Sequence, residues 1–182
     1  ESGGRVKRIL KKGRRISPFP LPQHTELARS DALDLLEQHK ENLVFSTPIA
    51  ADFNHKYATT DYFAIDPDFG TEDELTALVQ EAHSRGIRVV LDGVFNHTGA
   101  DSLYFNKEGR YPSVGAYQSK TSPYFDWYTF KEFPDSYDCW WGIKILPKVN
   151  FRNEGYRNFI AGKDGILEKY MKMGVSGWRL DV

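Results

Sequence analysis

A helix pattern runs directly into a strand pattern in residues 71–97, TEDELTALVQEAHSRGIRVVLDGVFNH. Thr71 and Glu74 have the Thr-x-x-Glu spacing of a capping box, so we expect a helix that begins there and ends at Gly86. The apolar residues between them recur at the spacing of one helical face: Leu75, Leu78, Val79 and Ala82. The β-branched and apolar run at residues 87–91 then indicates a strand that is covered on both faces. A helix leading into a buried strand is typical of α/β folds.

The same alternation extends to both sides of this stretch. A helix pattern at residues 30–39 precedes a strand pattern at residues 43–46. Farther along the chain, apolar residues share a helical face at Tyr156, Phe159 and Ile160. A further helix opens at Asp164 and closes at Gly174, before a third strand at residues 175–182. Strands separated by amphipathic helices predict parallel βα units.

Each of the three strands ends in polar residues, as a parallel sheet needs at the carboxyl edge where ligands bind. They are Ser46, Thr47, Asp92, Asn96, His97, Arg179 and Asp181. A doubly wound nucleotide-binding sheet would need a glycine-rich phosphate loop after a strand, and the sequence has none. We therefore predict an α/β protein with a partial (β/α)8 TIM barrel over residues 30–182. Residues 98–150 are too long for an ordinary loop and predict an inserted loop subdomain.

Composition excludes several classes of protein. The 182 residues are 40% hydrophobic with a net charge of −1, which allows a packed core and argues against a disordered chain. No apolar run is long enough for a membrane span and no secretory signal is recognisable, so we expect a cytoplasmic protein without a membrane partner. Cys139 is the single cysteine, which excludes an intrachain disulfide and a thiolate-only zinc site.

The first 29 residues differ in composition from the rest. Residues 1–15 carry seven lysine and arginine side chains against one acid, and three prolines alternate along residues 18–22. A basic arm could bind nucleic acid or anionic lipid, but no aromatic residues interleave these charges as a single-strand binder requires. We predict a basic, proline-rich N-terminal tail over residues 1–29, with no recognisable strand before Ser30 and no nucleic-acid partner.

Two motifs carry a family resemblance. DGVFNH, at residues 92–97, resembles the first conserved region of the α-amylase superfamily of glycoside hydrolases. GWRLDV, at residues 177–182, resembles the second region, which holds the nucleophilic aspartate of that family. The resemblance implies retaining hydrolysis of α-1,4 or α-1,6 glucans such as maltodextrin, cyclodextrin or pullulan, with an α-glucan oligosaccharide as the partner.

Further motifs resemble the neopullulanase, cyclomaltodextrinase and maltogenic amylase branch. They are NHKY at residues 54–57, TDYF at 60–63, IDPDFG at 65–70, WWG at 140–142 and LPKVN at 146–150. The resemblance covers roughly residues 43–182. It implies that the chain is about the first half of the catalytic barrel, with the subdomain between the third and fourth strands.

Arg179 and Asp181 are the predicted catalytic residues. Because side chains alternate along a strand, residues two apart face the same way. A guanidinium beside Asp181 would lower the pKa of that carboxylate and orient it, which suits a nucleophile. From spacing alone, a salt bridge within a barrel layer is an equal alternative. The resemblance favours Asp181 as the nucleophile.

The resemblance also implies residues that bind sugar: His55, Tyr57, His97, Trp140 and Trp141. For the two tryptophans, packing of the long loop is an equal alternative. Asp92 and Asn96 are expected to be structural residues near the site, with Asp92 ordering the loop. We expect no cofactor and no metal. Calcium at Asn96 is the minor alternative, because no cluster of oxygen ligands is evident nearby.

The chemistry is incomplete within these residues. The family's general acid, a glutamate after the fifth strand, has no counterpart here, and the acids Glu132, Asp135 and Asp138 do not end a barrel strand. We therefore expect the chain to be inactive alone and to self-associate through uncovered sheet edges. The alternatives are a non-catalytic glycan-binding fragment and, more remotely, an interaction protein with a basic arm.

Overall fold

The computed structural model describes residues 15–16, 34, 37–38, 43–45, 49–52 and 56–181. The strands are β1 (Arg15–Ile16), β2 (Leu43–Phe45), β3 (Ala50–Asp52), β4 (Thr59–Ile65), β5 (Val89–Val94), β6 (Phe130–Glu132), β7 (Ser136–Tyr137) and β8 (Gly177–Asp181). The helices are α1 (Glu72–Ser84), α2 (Glu154–Ala161) and α3 (Ile166–Lys172). Among the described residues, no helix is both long enough and apolar enough to cross a membrane.

The chain divides into two compact units. The first comprises Glu1–Ile49, Ile65–Gly93 and Tyr170–Arg179. The second comprises Ala50–Ala64, Val94–Lys169 and Leu180–Val182. Residues 98–150, predicted as an inserted subdomain, thus belong to a larger and discontinuous unit, and the insertion itself stays a prediction.

A four-stranded sheet with the order β1-β2-β5-β8 forms the centre of the first unit. β1 is parallel to β2, with Arg15 opposite Val44, and β2 is parallel to β5, with Leu43 opposite Val89. The three predicted strands are confirmed as β2, β5 and β8. β5 runs on to Val94, so it is longer at its carboxyl end than predicted.

β1 lies within the segment predicted as a tail, where no strand was recognisable from the sequence. It is two residues long and lies between a run of lysines and arginines and a proline-rich stretch. So short a strand has no apolar periodicity that sequence reasoning could detect. It forms because β2 offers a parallel partner. The other residues of the segment predicted as a tail lie outside the described residues.

Helix α1 follows from its local sequence. The Thr71 Oγ1 accepts a hydrogen bond from the Glu74 N–H at 3.2 Å, and the Thr71 N–H donates to Glu74 Oε2 at 2.8 Å. These two bonds are the predicted capping box, which satisfies backbone donors that a helix start leaves open. The buried residues Leu75, Val79 and Ala82 form the predicted apolar face. For the helix predicted at residues 30–39, the described residues Asp34, Glu37 and Gln38 are helical.

The second unit has an aromatic core. Tyr62, Tyr104, Trp127, Tyr156 and Phe159 have ring centroids 4.9–6.4 Å from one another in the contacts that join them. Tyr62 and Tyr156 also donate their hydroxyl hydrogens to backbone carbonyls, to Val94 O at 2.6 Å and to Phe95 O at 2.7 Å. Burial raises the pKa of both tyrosines, so the hydroxyls stay protonated donors. The core therefore holds residues 94 and 95, which lead into the predicted sugar site.

Two small sheets, β3-β4 and the antiparallel hairpin β6-β7, were not predicted. β3, β6 and β7 are only two or three residues long, and the seven residues of β4 lack a clear alternation of apolar and polar residues. Helix α2 is as predicted: Asn153 caps it, accepting from the Tyr156 N–H at 2.9 Å, and Tyr156 and Ile160 are buried. Helix α3 begins at Ile166, two residues after the predicted start at Asp164.

Candidate active site

Asp92 and Arg179 form an ion pair between neighbouring strands of the first unit. The Arg179 Nη1 lies 2.8 Å from Asp92 Oδ1 and 2.9 Å from Oδ2. The Asp92 side chain has no exposed surface, whereas the Arg179 side chain is 33% exposed. A buried carboxylate is costly without a charged or hydrogen-bonding partner, and the guanidinium supplies both. The pair cross-links β5 and β8.

This pair adds to two sequence predictions. Asp92 was expected to order a loop after the strand, but β5 continues through it and the side chain lies in the sheet. The Arg179 Nη1 contacts the Asp92 carboxylate, a partner that sequence reasoning did not propose. The predicted action of Arg179 on Asp181 stays a prediction. Spacing along one strand could not reveal a partner on another.

Asp181 is the last residue of β8 and is half-buried. It lies two residues after Arg179, and alternate residues of a strand share a face. A carboxylate at the end of a parallel strand is where the active sites of α/β barrels collect their catalytic groups. Its role as the nucleophile stays a prediction.

His97 is buried in the second unit, with 2% of its surface exposed. Its Nε2 lies 2.9 Å from the Tyr57 carbonyl oxygen. Because a carbonyl oxygen only accepts, Nε2 carries the hydrogen, and in a neutral ring Nδ1 is then the acceptor. The Asn96 amide nitrogen, 3.4 Å from Nδ1, suits that assignment. His97, which was predicted to donate a hydrogen bond to sugar, thus holds the backbone of Tyr57 in place. The contact of His97 with sugar stays a prediction.

The hydrogen bond from His97 brings two of the sequence motifs together. Tyr57 is half-buried, and its neighbour Ala58 donates its N–H to Asp52 Oδ2 at 2.6 Å. This short loop is therefore tied both to strand β3 and to the segment that follows β5. His55, the other predicted sugar ligand of this motif, lies outside the described residues.

A third motif runs along the same segment. The Val149 N–H donates to Asn96 O at 3.0 Å, and the Thr98 N–H donates to Pro147 O at 3.1 Å. Residues 146–150 therefore pair with residues 96–98 as a short antiparallel bridge, which sequence reasoning missed because neither segment has a strand pattern. This pairing joins the two ends of the long segment between residues 98 and 147, which carries Trp140 and Trp141.

Trp140 and Trp141 extend the row of rings from His97. The Trp140 ring centroid lies 5.6 Å from that of His97, and the Trp141 ring stacks on Trp140 at 5.3 Å with an angle of 20° between the planes. We call His97, Trp140 and Trp141 the aromatic row, and the backbone carbonyl of Tyr57 is hydrogen-bonded to its first ring. The structure thus brings together four of the five predicted sugar-binding residues.

The acids of the β6-β7 hairpin have surface partners. Asp135 accepts from the Tyr117 hydroxyl at 2.7 Å, and Asp138 lies 3.3 Å from the Lys131 ammonium. Glu132 is exposed at the end of β6. None of these acids ends a strand of the four-stranded sheet.

Cys139 and Asn96 have no chemistry assigned to them by the geometry. Burial raises the pKa of the Cys139 thiol despite the nearby Lys144 ammonium, and the thiol donates to Tyr137 O at 3.3 Å. A protonated, hydrogen-bonded thiol suits the predicted structural role.

Within the described part of the chain, no group of three or more His, Cys, Asp or Glu side chains could hold a metal ion. Calcium binding at Asn96 stays an untested alternative.

Comparison with known proteins identifies the family of this domain. The sequence signature of the alpha amylase catalytic domain matches residues 30–182. The chain belongs to the α-amylase family. The resemblance of its motifs to that superfamily of glycoside hydrolases is thereby confirmed.

Individual relatives support the same assignment. An amylopullulanase of Thermoanaerobacterium thermosulfurigenes is 41% identical over 172 residues, covering 84% of this chain and 9% of the relative. The intracellular maltogenic amylase of Bacillus subtilis (strain 168) is 37% identical over 156 residues, covering 84% of this chain and 25% of the relative. The α-amylase family chain therefore spans between about a tenth and a quarter of the length of these two curated relatives.

A solved structure supports the fold. The type III pullulan hydrolase of Thermococcus kodakarensis aligns with a TM-score of 0.70 and 34% sequence identity, covering 84% of this chain and 26% of that chain. The α-amylase family chain thus has structural neighbours of the TIM-barrel glycosidase fold. The predicted barrel class is confirmed at that level.

Proposed function

We propose that this chain supplies the nucleophile and part of the sugar site of a retaining glycoside hydrolase that acts on α-1,4- or α-1,6-linked glucans. Maltodextrins, cyclodextrins and pullulan are the substrate class, in keeping with the relatives' names. The observation that carries the proposal is the bond from His97 to the Tyr57 carbonyl, because it joins two motifs 40 residues apart into one preorganised surface. Preorganised groups lower the cost of binding and of reaching the transition state.

Asp181 is the proposed nucleophile. Retention of configuration requires a carboxylate that attacks the anomeric carbon and forms a glycosyl-enzyme, which water then hydrolyses. A half-buried acid at the end of β8 can reach a sugar ring bound above the sheet edge. Arg179 acts in this proposal as a positioning residue, since its bond to the buried Asp92 fixes the strand that carries Asp181.

The proposed reaction needs a second carboxylic acid, which protonates the departing oxygen and lies about 5–5.5 Å from the nucleophile. Asp135 and Asp138 contact Tyr117 and Lys131, and neither ends a strand of the four-stranded sheet, so neither is proposed for this role. We therefore propose that the 182-residue chain does not hydrolyse glucans alone, and that residues 30–182 act as about the first half of a (β/α)8 barrel with residues 98–150 inserted.

A chimera tests the nucleophile. Residues 30–182 replace the matching segment of the Bacillus subtilis maltogenic amylase, and release of nitrophenol from a nitrophenyl maltoside is measured. We expect turnover in the chimera, and a loss of at least about 10³-fold in Asp181→Asn with maltodextrin binding kept. Asp135→Asn is the matched control. That acid is exposed, accepts a hydrogen bond from the Tyr117 hydroxyl and has no role in the proposed reaction. Full turnover in Asp181→Asn would refute the assignment.

Glycan binding without hydrolysis is the second candidate function. The specific observation in its favour is the exposure of Trp141, which is 87% accessible beside the other members of the aromatic row. Saturable binding of maltodextrin by a chimera that never turns over the maltoside would favour this candidate.

A further inference from the structure

The Tyr62 hydroxyl bridges both ends of the short segment that carries His97. It lies 2.6 Å from Val94 O, where β5 ends, and 3.1 Å from the backbone oxygen of His97. A hydroxyl has one hydrogen, so these two carbonyl oxygens share a single donor. Residues 95–97 belong to none of the helices and strands of the described chain, so a side-chain contact can set their position. The Tyr62 hydroxyl therefore fixes the spacing between the two ends of this segment.

The carbonyl groups between these two ends are also held by other parts of the chain. The Tyr156 hydroxyl, from helix α2, donates to Phe95 O at 2.7 Å. The Val149 N–H donates to Asn96 O at 3.0 Å. The four consecutive carbonyls of residues 94–97 thus contact donors from three separate elements or loops. A segment held in this way has little freedom to adjust, and a binding or catalytic side chain needs such support from the residues behind it.

Packing alone does not require the Tyr62 hydroxyl. The residue is 3% exposed, and its ring lies against the rings of Phe95, Tyr104 and Phe159. A phenylalanine would fill the same space and make the same ring contacts. Burial raises the pKa of Tyr62, so the hydroxyl keeps its hydrogen. What the tyrosine adds over phenylalanine is a fixed donor aimed at the segment that carries His97.

We propose that Tyr62 and Tyr156 are positioning residues of the sugar site, because their hydroxyls set the place of the His97 imidazole and, through it, of Tyr57. The His97 Nε2 lies 2.9 Å from Tyr57 O, so a shift of residues 94–97 is passed on to the loop that carries Tyr57. The two tyrosines act through His97 and have no contact with substrate in this proposal. A misplacement of about 1 Å can cost 10²-fold in rate. This inference rests on the proposed function.

Steady-state kinetics of the chimera, with the nitrophenyl maltoside as substrate, provide the first test. Tyr62→Phe and Tyr156→Phe each keep the ring and remove one hydroxyl. We expect kcat to fall about tenfold in each variant and KM to change less than about twofold, because misplaced groups cost most in the transition state. Tyr104→Phe is the matched control, since that buried hydroxyl has the Tyr62 N–H at 3.0 Å and Asp61 Oδ1 at 3.3 Å as its partners. It should lower the thermal unfolding midpoint by a similar amount and leave kcat unchanged.

The ring nitrogens of His97 provide a second readout in the full 182-residue chain. NMR of these nitrogens, at a pH above the ordinary histidine range, gives two well-separated signals for a fixed Nε2–H tautomer and converging signals for a ring that exchanges between tautomers. His97→Gln assigns the signals. We expect separate signals in the unaltered chain and in Tyr104→Phe. The signals should converge in Tyr62→Phe, because the bond to Tyr57 O that selects the tautomer weakens.

The two readouts together decide the inference. A lower kcat and converging signals in Tyr62→Phe, with neither change in Tyr104→Phe, support it. Unchanged kcat in both folded tyrosine variants, unchanged ring signals, or an equal change in Tyr104→Phe overturns it, since the hydroxyls would then support only the fold. If Tyr62→Phe does not fold, Tyr156→Phe decides by the same two measurements. If the unaltered chimera shows no turnover, the proposed function is refuted, and the ring signals alone decide whether the tyrosines position His97.

Discussion

Replacing Arg179 should lower the free energy of unfolding more than replacing Asp92, the acid with which it forms an ion pair. In Arg179→Met, the buried Asp92 carboxylate loses the guanidinium that contacts both of its oxygens at 2.8 and 2.9 Å. Removing one member of a buried pair costs about 3–5 kcal/mol, and we expect about 3 kcal/mol here because the Arg179 side chain is one-third exposed. In Asp92→Asn the guanidinium can turn to water, so the expected cost is about 1.5 kcal/mol, that of one charged hydrogen bond.

Urea unfolding at neutral pH, followed by circular dichroism, measures these differences in free energy. Arg179→Lys is the informative control. Both contacts come from one nitrogen atom, Nη1, so an ammonium at that place could keep part of the interaction, and we expect a loss between those of the other two variants. The double variant should cost less than the sum of the single changes, because the two residues interact. Equal losses in Arg179→Met and Asp92→Asn, or strict additivity, would refute the reasoning.

Two further predictions concern the sugar site and the packing of α1. Tyr57→Ala should abolish the heat signal of maltotriose binding in calorimetry, because it removes the ring whose backbone His97 holds in place, while Phe151→Ala, an exposed ring in the same unit, should not. An unchanged isotherm in Tyr57→Ala would remove this residue from the site. Gly174→Ala should lower stability by about 1–3 kcal/mol, since its φ is +98° and the new Cβ would meet Val79 Cγ1 at 2.8 Å. Gly86 has a φ of +74°, and no atom lies within 4 Å of the place that a new Cβ would take. Gly86→Ala therefore measures the backbone contribution alone in the same unfolding assay, and it should lower the free energy of unfolding by less than Gly174→Ala does.

Local sequence determined the regular elements that carry their own signals. The capping box of Thr71 and Glu74 and the apolar face of α1 depend on residues three and four apart, which the sequence displays directly. The buried run of β5 and the strand β8 were likewise predictable. The motifs around residues 92–97 and 177–182 were sufficient to predict the family.

Pairings between distant segments were decided only by the tertiary structure. β1 is a strand because β2 lies beside it, and its two residues have no pattern of their own. The same holds for the contact of Arg179 with Asp92, 87 residues away in sequence, which no spacing along β8 could reveal. His97 likewise uses its donor on a backbone carbonyl 40 residues earlier. A side chain's position on its own strand follows from the period of that strand, but its partner depends on which strand or loop the fold brings alongside.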